Sequence, residues 1–497
     1  MSVVRRALLF SFAERYALIV INLASNLLIA RLLTPAEIGV YSVTLAVMSI
    51  AQTLRDFGIA SYLIQEKELT DDHVRTALGV TLAIGISLAL VLAVAAPWVA
   101  DFYREPHMRS LVWLASLNFL LLPFSTISLA LLRRRMAFKA VAGVSLVATV
   151  AGAITSVSLS WAGFGPLGLV AGTLVVSATT GFTAWVAQGE RRLLRPSLSH
   201  WRSLFRFGAQ SSAVGIVTSV AMDINDLAVG KLMGFEPVAL LSRAQGLMYL
   251  FYRDLMGAVR NVAYPAYAKA VRERQEMEPL YVASVNYVCV VAWPFYGFVS
   301  LYALETLRLL FGPQWDAAAP LVPLFCLGGA FAAIGNLMGN LTVAMGRMDL
   351  LTRMELFFQP VRAALVVAMA AYWRQPWACA AAFALTLLLQ LPLIYSVKAR
   401  FLSNDWPALR RNLARSALVA VLALTLPLLL KLLLPCSPGQ PMPWPGFALA
   451  IVGCILGWLL ALSWCRHPLA SDPAFARLTC FWRHRRHDNP PRIDKTE

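Results

Sequence analysis

A succession of long apolar stretches is the feature that most limits how this chain can fold. Each stretch runs for about 20 residues with few charges, which is the length that an α-helix needs to cross a bilayer. A segment inside a bilayer must satisfy its own backbone hydrogen bonds, and a helix does so. We therefore predict an all-α, polytopic membrane protein of about fourteen transmembrane helices. The predicted spans are residues 10–33, 39–62, 75–99, 109–132, 140–161, 166–188, 204–231, 236–262, 281–308, 317–345, 350–373, 377–399, 412–434 and 444–465.

One joint between spans carries a specific signal for the start of a helix. The tetrapeptide Thr34-Pro35-Ala36-Glu37 has the pattern of a capping box with proline at the first helical position. It predicts that a helix begins directly after Thr34.

The composition excludes a large soluble protein. Hydrophobic residues make up 59% of the chain and charged residues 14%, whereas a soluble protein carries about 25% charged residues. The seven cysteines lack the paired spacing that disulfides or zinc sites require. The sequence therefore predicts neither a metal site nor a bound cofactor.

The net charge of +17 would suggest a nucleic-acid partner in a soluble protein, but the positions of the basic residues indicate another cause. Most of the 43 Lys and Arg residues fall on one side when successive connections alternate across the membrane. The positive-inside rule assigns that side to the cytoplasm. We expect a multi-pass protein in a lipid bilayer, with both termini in the cytoplasm and no nucleic-acid partner.

Tryptophans lie near the ends of several predicted spans, which is typical of the aromatic belt at a membrane–water interface. The indole ring suits this position because it is apolar and carries one polar N–H group. We predict interfacial positions for Trp98, Trp161, Trp201, Trp315, Trp444 and Trp464.

Two regions that lie about 200 residues apart resemble each other, as in an internal repeat. RLLTPAEIGVYSV, from Arg31, and KLMGFEPVALLSR, from Lys231, both join two spans, and they align Ser42 with Ser242. The pattern predicts two homologous halves that enter the membrane in the same direction, related by a pseudo-two-fold axis along the membrane normal. We predict two six-helix lobes at residues 1–195 and 196–405, two additional helices at 406–466, and a basic, disordered cytoplasmic tail at 467–497.

Several motifs make the chain similar to a known family. The segments ARLLTPAEIGVYS, DFGIASYLIQ, NDLAVGKLMG, ALLSRAQGL and VAYPAYAKA resemble the polysaccharide-transporter branch of the multidrug/oligosaccharidyl-lipid/polysaccharide flippase superfamily. The resemblance implies a V-shaped bundle that flips an undecaprenyl-diphosphate-linked oligosaccharide across the bacterial inner membrane, for surface or exopolysaccharide synthesis. It also implies a polysaccharide polymerase and export machinery as partners.

Charged residues inside the predicted spans are the candidate functional residues, because an ionised side chain in a bilayer costs about 2.5–3.5 kcal/mol. Arg15, Arg243 and Arg362 are candidate substrate-binding cations of a water-filled cavity. Arginine suits a diphosphate because its planar fork makes two parallel hydrogen bonds to phosphate oxygens. The alternatives are an interfacial position for Arg15, an ion pair between Arg243 and Asp226, and a buried ion pair for Arg362.

Other polar residues inside the spans are candidates for gating or ion coupling. Asp223 and Asp226 share one face of a helix, where they could pair at an outer gate, bind a coupling proton or sodium ion, or contact sugar hydroxyls. The repeated Arg-Asp couples of the two halves indicate a gate at the cytoplasmic face, with ordinary interfacial charges as the alternative. The candidates are Glu14, Arg55, Asp56, Asp223, Asn225, Asp226, Arg253 and Asp254.

Two other functions compete with a lipid-linked oligosaccharide flippase. A multidrug or metabolite cation antiporter of the same superfamily would be expected to favour carboxylates over arginines in its cavity. A membrane-embedded polysaccharide polymerase or ligase needs catalytic groups on a sizeable outer domain, and the predicted outer connections are short. We therefore expect a transporter without catalytic residues, not an enzyme.

Overall fold

The structure, a computed structural model, describes residues 2–55, 59–66, 69–189, 196–199, 219–220, 223–434 and 440–471. These residues form helices joined by turns and contain no strand, which confirms the all-α fold class. Ten helical segments among them are long and apolar enough to cross a membrane. The protein is therefore a polytopic membrane protein, and the total of fourteen spans stays a prediction.

The described helices extend over most of the chain. A π-helical turn, Leu250–Leu255, joins α10 to α11, and 3₁₀ turns lie at Pro313–Leu321 and Pro468–Ser471. The α-helices are α1 (Ser2–Leu32), α2 (Pro35–Arg55), α3 (Ile59–Gln65), α4 (Asp71–Tyr103), α5 (His107–Ser116), α6 (Asn118–Arg134), α7 (Phe138–Trp161), α8 (Pro166–Gln188), α9 (223–233), α10 (Phe235–Tyr249), α11 (Met256–Arg272), α12 (Met277–Leu301), α13 (Ala303–Leu310), α14 (Val322–Gly335), α15 (Met338–Ala344), α16 (Met348–Trp373), α17 (Pro376–Lys398), α18 (Trp406–Leu433) and α19 (Trp444–Trp464).

The start of α2 follows from local sequence, and the predicted capping box is confirmed. The N–H of Glu37 donates to Thr34 Oγ1 (3.3 Å), and the N–H of Thr34 donates to Glu37 Oε2 (2.8 Å). Pro35 occupies the first helical position, where its missing N–H removes no intrahelical hydrogen bond.

The chain divides into two compact units, and the first comprises Met1–Gly246, Thr306–Phe325 and Thr352–Thr386. One buried cluster of this unit draws apolar side chains from α2, α4, α5, α6, α8, α9, α10, α16 and α17, with Val43 and Leu111 both fully buried. Large apolar residues on the outer faces of its long helices are exposed. That exposure is expected of helices whose outer faces contact lipid rather than water.

Facing glycines bring α7 and α8 close together in the first unit. A Cβ atom on Gly172 would lie 1.8 Å from Ser156 Oγ, and a Cβ atom on Gly152 would lie 2.2 Å from Val176 Cγ2. Only residues without a side chain permit this approach, which is a common way to pack helices in membranes. Helix α1 packs on α7 in turn, and this arrangement positions the cavity described below.

The second unit comprises Leu247–Glu305, Cys326–Leu351 and the described part of Leu387–Glu497. Within it, α12 packs on α18, and α18 packs on α19. Val290 and Val419 are fully buried where these helices meet.

A buried polar cluster of the second unit fixes the chain where α19 ends. His467 Nε2 lies 3.0 Å from Asn286 Oδ1 and 3.3 Å from Ser416 Oγ. The N–H of Leu469 donates to His467 Nδ1 (3.2 Å), which assigns the proton of the neutral ring to Nε2. Burial and the positive charge of Arg415 lower the pKa of His467 to about 4. The chain is therefore anchored at His467, beyond the last predicted span.

Candidate functional site

The first unit contains a cavity of about 410 Å³, which we call the polar cavity. Helices α1, α2, α7, α8 and α10 form its walls. Among the described residues that line it, Arg243 is the one charged residue, and hydroxyl and amide groups supply the other polar atoms. These polar residues are Asn22, Ser25, Asn26, Tyr41, Ser42, Thr149, Ser156, Thr173 and Ser242.

Helical spacing explains why α1 contributes a polar stripe to an otherwise apolar span. Asn22, Ser25 and Asn26 are separated by three and four residues, so they lie on one face of α1. Facing the interior, these side chains avoid the cost of placing polar groups in lipid. Ser42 and Ser242, which align in the internal repeat, both line the same cavity.

Arg243 is held in the polar cavity by one hydrogen bond and two aromatic rings. Its Nη1 atom donates to Asn26 Oδ1 at 2.6 Å. Its Cζ atom lies 5.1 Å from the ring centroid of Phe311 and 4.9 Å from that of Trp315, within the range of cation–π attraction. Its Nε atom is buried and has no hydrogen-bond partner in the described part of the chain. No described carboxylate neutralises the guanidinium, which therefore keeps its charge.

The ring of Trp315 is itself fixed to the end of α1. Trp315 Nε1 donates to the carbonyl oxygen of Ala30 at 2.8 Å, and Gln314 Nε2 donates to the same oxygen at 2.6 Å. That carbonyl lies in the last turn of α1, where carbonyl groups lack intrahelical partners. Trp315 is fully buried, so its ring contacts protein and not lipid headgroups, and its depth in the membrane stays a prediction. The indole N–H satisfies a helix end.

Arg362 lies on α16 and is not among the residues that line the polar cavity. It donates to Gln359 Oε1, and Gln359 Nε2 donates to Glu355 Oε2 at 2.7 Å. Its Cζ atom lies 5.6 Å from the ring centroid of Phe383. Glu355, Gln359 and Arg362 are spaced by four and three residues, so the three side chains form a polar row along one face of α16.

Asp223, Asn225 and Asp226 lie on α9. Ser219 Oγ donates to Asp223 Oδ2 (3.1 Å) and lies 3.2 Å from Ser49 Oγ. Asn225 Oδ1 is buried without a hydrogen-bond partner in the described residues. Arg243 contacts Asn26, and no ion pair joins it to Asp226 in this part of the chain.

The remaining candidates are only partly described. Arg55 is the last residue of α2, and its side chain is buried. Glu14 and Arg15 lie in α1, and Arg253 and Asp254 lie in the π-helical turn, but their side chains are outside the described part of the structure. Asp56 lies outside the described residues altogether. The predicted roles of these residues stay predictions.

Sequence reasoning identified Arg243 but missed its surroundings. Asn26 carries a usable signal, because Asn22 and Ser25 precede it at helical spacing in an apolar span. Phe311 and Trp315 carry no such signal, because aromatic residues near span ends are expected at interfaces.

Comparisons with known proteins agree with this architecture. A family model described as "Polysaccharide biosynthesis protein" matches residues 28–320. The lipopolysaccharide biosynthesis protein WzxC of Escherichia coli (strain K12) is 25% identical over 343 residues, which are 68% of this chain and 69% of WzxC. The succinoglycan biosynthesis transport protein ExoT of Rhizobium meliloti (strain 1021) is 26% identical over 303 residues, 60% of this chain and 61% of ExoT.

Solved structures show the same fold. The lipid II flippase MurJ, in an inward closed conformation, superposes with a TM-score of 0.71 and 13% identity over 96% of this chain and 99% of MurJ. An inward-facing multidrug resistance MATE family transporter of the MOP superfamily superposes with a TM-score of 0.59 and 16% identity, covering 79% and 95% of the two chains. Because the family model spans more than half of the chain, the resemblance seen in the motifs is confirmed: this protein belongs to the polysaccharide biosynthesis protein family.

Proposed function

We propose that this protein is a flippase that moves a lipid-linked oligosaccharide across the bacterial inner membrane by alternating access, with undecaprenyl diphosphate as the lipid carrier. Family membership, the transport role in the name of ExoT and the fold shared with MurJ support this proposal. The product would enter surface or exopolysaccharide synthesis, with a polymerase and export machinery as later partners. The distribution of basic residues favours a cytoplasmic position for both termini.

The single observation that carries the proposal is the position of Arg243 in the polar cavity. A guanidinium whose protein partner is a neutral amide retains a net positive charge, and that charge attracts a phosphate group. Inside a protein cavity, where the effective dielectric constant is lower than in bulk water, this attraction is stronger than at a protein surface. Such a cavity disfavours organic cations, so its lining gives no support to the alternative of a cation antiporter.

The hydroxyl and amide groups of the polar cavity suit the carbohydrate part of the substrate. Serine, threonine and asparagine side chains both donate and accept hydrogen bonds, as sugar hydroxyls do. Ser25 and Ser42 offer hydroxyl groups, and Asn22 offers an amide, within the same cavity as Arg243. In this proposal Arg243 binds the phosphate, and the hydroxyl and amide groups of the polar cavity bind the sugar.

Ion coupling is a separate part of the proposal. Asp226 lies near one end of a predicted span and makes no hydrogen bond or ion pair with another described residue. A carboxylate in that position can gain or lose a proton, or release a sodium ion, during a transport cycle. We propose Asp226, with Asp223 on the same helical face, as the coupling group.

The test is a flipping assay in proteoliposomes that contain a fluorescent diphosphate-linked oligosaccharide lipid. We expect Arg243→Gln to lower the initial rate about tenfold or more, because hydrogen bonds to charged groups contribute about 1.5–3 kcal/mol. Arg243→Lys keeps the positive charge but loses the planar guanidinium that makes two parallel hydrogen bonds to phosphate, so its flipping rate should be intermediate. Arg410→Gln, at an exposed position of α18, is the matched control. Equal rates for Arg243→Gln and the control would refute the proposal.

A further inference from the structure

A second cavity, distinct from the polar cavity, lies between α4, α6 and α8 of the first unit. It has a volume of about 310 Å³ and is lined almost entirely by apolar side chains, among them Leu78, Ile127 and Trp185. Phe124 and Phe182, which also line it, are 42% and 64% exposed. The cavity therefore opens to the outside of the helix bundle, and we call it the α6–α8 groove. Because α4, α8 and the helical segment His107–Arg134 that contains α6 have the length and apolarity of membrane spans, the groove opens to lipid.

The groove fits within one leaflet of a bilayer. On α8 its lining extends from Ser177 to Trp185, which is about 12 Å at 1.5 Å per residue. Half of a hydrocarbon core of about 30 Å is slightly longer than this. On α6 the lining extends from Leu121 to Ser128, in the middle of the helix, whereas on α8 it reaches the last turn. The ends of the two helices lie side by side, since Arg135 donates to the carbonyl oxygen of Gln188 (3.1 Å). Basic residues follow directly at this end, so the positive-inside rule assigns the groove to the cytoplasmic leaflet.

Polar atoms without partners lie at the same end of the groove. Trp185 Nε1 is buried and donates no hydrogen bond within the described part of the chain. One turn further along α8, Gln188 is 5% exposed, and neither its amide nitrogen nor its amide oxygen has a described partner. Buried donors normally find an acceptor. Arg135, which directly follows α6 on the face that lines the groove, is exposed and donates to the carbonyl oxygen of Gln188. The α6–α8 groove is apolar along its length, with unpartnered N–H donors and a cation at one end, and it is therefore complementary to a lipid with an anionic headgroup.

We propose that the α6–α8 groove binds an anionic glycerophospholipid of the cytoplasmic leaflet. One acyl chain lies between Phe124 and Phe182, and the phosphate is placed near Trp185 Nε1 and Arg135. Basic residues next to membrane spans recognise anionic lipids in this way, and tryptophan is favoured at the headgroup level. The proposal does not depend on the proposed transport function.

The isoprenoid tail of the transported substrate is a less suitable occupant. Successive residues of a helix are rotated by about 100°, so the α8 residues that line the polar cavity, Gly172, Thr173 and Val176, lie on nearly the opposite face from Gly181 and Trp185. A substrate with its headgroup in the polar cavity would have to wrap around α8 to reach the groove. A lipid of the surrounding bilayer meets the groove directly.

The test uses the full-length protein and photoactivatable lipids whose acyl chain carries a diazirine. We expect phosphatidylglycerol to label peptides of α6 and α8 at least several-fold more than phosphatidylcholine with the same chains. Trp185→Phe removes the N–H donor and keeps an aromatic ring, and Arg135→Gln removes the charge; each should reduce that preference. Ala178→Phe fills the groove and should abolish labelling, whereas Val186→Phe, at an exposed position of the same helix that does not line the groove, should leave it unchanged.

Three outcomes would overturn the proposal. Equal labelling by the two phospholipids would show that the site does not select an anionic headgroup. Equal labelling of Ala178→Phe and Val186→Phe would show that the lipid does not bind in the groove. Stronger labelling by an isoprenoid diphosphate carrying the same diazirine would assign the groove to the substrate tail. If Ala178→Phe does not fold, an unchanged preference for phosphatidylglycerol in both Trp185→Phe and Arg135→Gln would overturn the proposal instead.

Discussion

Arg243 on α10 and Asn26 on α1 are joined by a hydrogen bond of 2.6 Å from Nη1 to Oδ1, although 217 residues separate them in the chain. An amide accepts this hydrogen bond without neutralising the guanidinium, whereas a carboxylate in its place would form an ion pair. Because the residue at position 26 is asparagine, the positive charge of Arg243 in the polar cavity stays available to a ligand.

Asn26→Asp tests this interpretation directly. The new carboxylate would lie within hydrogen-bond distance of Arg243 and cancel the charge that attracts phosphate, so we expect the flipping rate to fall about tenfold or more, equivalent to about 1.4 kcal/mol or more. Asn26→Gln keeps an amide and is the control. Full activity of Asn26→Asp, at normal protein level, would show that the charge of Arg243 does not act on substrate.

Trp315 should contribute to stability through both its ring and its N–H group. Trp315→Phe removes the hydrogen bond to Ala30 and should lower the free energy of unfolding by about 1 kcal/mol. Trp315→Ala also removes the buried ring and should cost about 3–5 kcal/mol. Thermal unfolding in detergent measures both changes, with Trp464→Phe as the control because Trp464 is 77% exposed. A similar decrease in the free energy of unfolding for Trp315→Phe and Trp315→Ala would show that the buried ring adds nothing beyond the hydrogen bond.

Gly39 permits the close approach of α2 to the start of α10. A Cβ atom on Gly39 would lie 1.9 Å from the carbonyl oxygen of Phe235. Because this oxygen belongs to the backbone, a change of side-chain rotamer cannot relieve the clash. We expect Gly39→Ala to lower the melting temperature by several degrees, since overpacking costs about 1–3 kcal/mol. Gly143→Ala, on α7, meets no atom within 4 Å and should raise stability, because alanine favours a helix more than glycine does. Equal melting temperatures for Gly39→Ala and Gly143→Ala would contradict the close approach of Gly39 to Phe235.

The buried His467 should make stability depend on pH below neutrality. Its pKa is lowered to about 4, whereas in the unfolded chain it titrates near 6.5. Between these values the unfolded state binds more protons, so stability is fully present above pH 6.5 and is lost as pH falls toward 4. We expect the melting temperature of the wild type to fall more steeply from pH 7 to 4.5 than that of His467→Gln. Parallel curves would exclude His467 as the titrating group.

Asp226 is the residue whose neutralisation should uncouple transport. Asp226→Asn keeps the shape of the side chain but cannot bind or release a proton, so flipping should lose its dependence on a proton or sodium gradient. The rate is measured in proteoliposomes with and without each gradient. Asp316→Asn is the control, because Asp316 is occupied by two hydrogen bonds from Arg308 Nε at 2.8 Å and 3.0 Å to its two carboxylate oxygens. An unchanged gradient dependence of Asp226→Asn would exclude Asp226 from coupling.

Local physical chemistry made much of the fold predictable. A run of apolar residues long enough to span a bilayer identifies a helix without knowledge of its neighbours. The capping box of Thr34 and Glu37 involves residues three apart, so the sequence located the start of α2. Arg243 was recognised as a candidate for the same reason, because an ionised group within an apolar span is costly wherever it lies.

Other features depended on residues that are distant in the chain. Trp315 has the sequence context of an interfacial residue, yet it is buried against the end of α1 and carries Arg243 over its ring. The sequence by itself determined that long apolar helices form and that α2 begins directly after Thr34, and it identified Arg243 as a candidate. The tertiary structure alone decided which neutral side chains and rings surround Arg243, because such contacts depend on how helices pack across hundreds of residues and leave no periodic signal in any one segment.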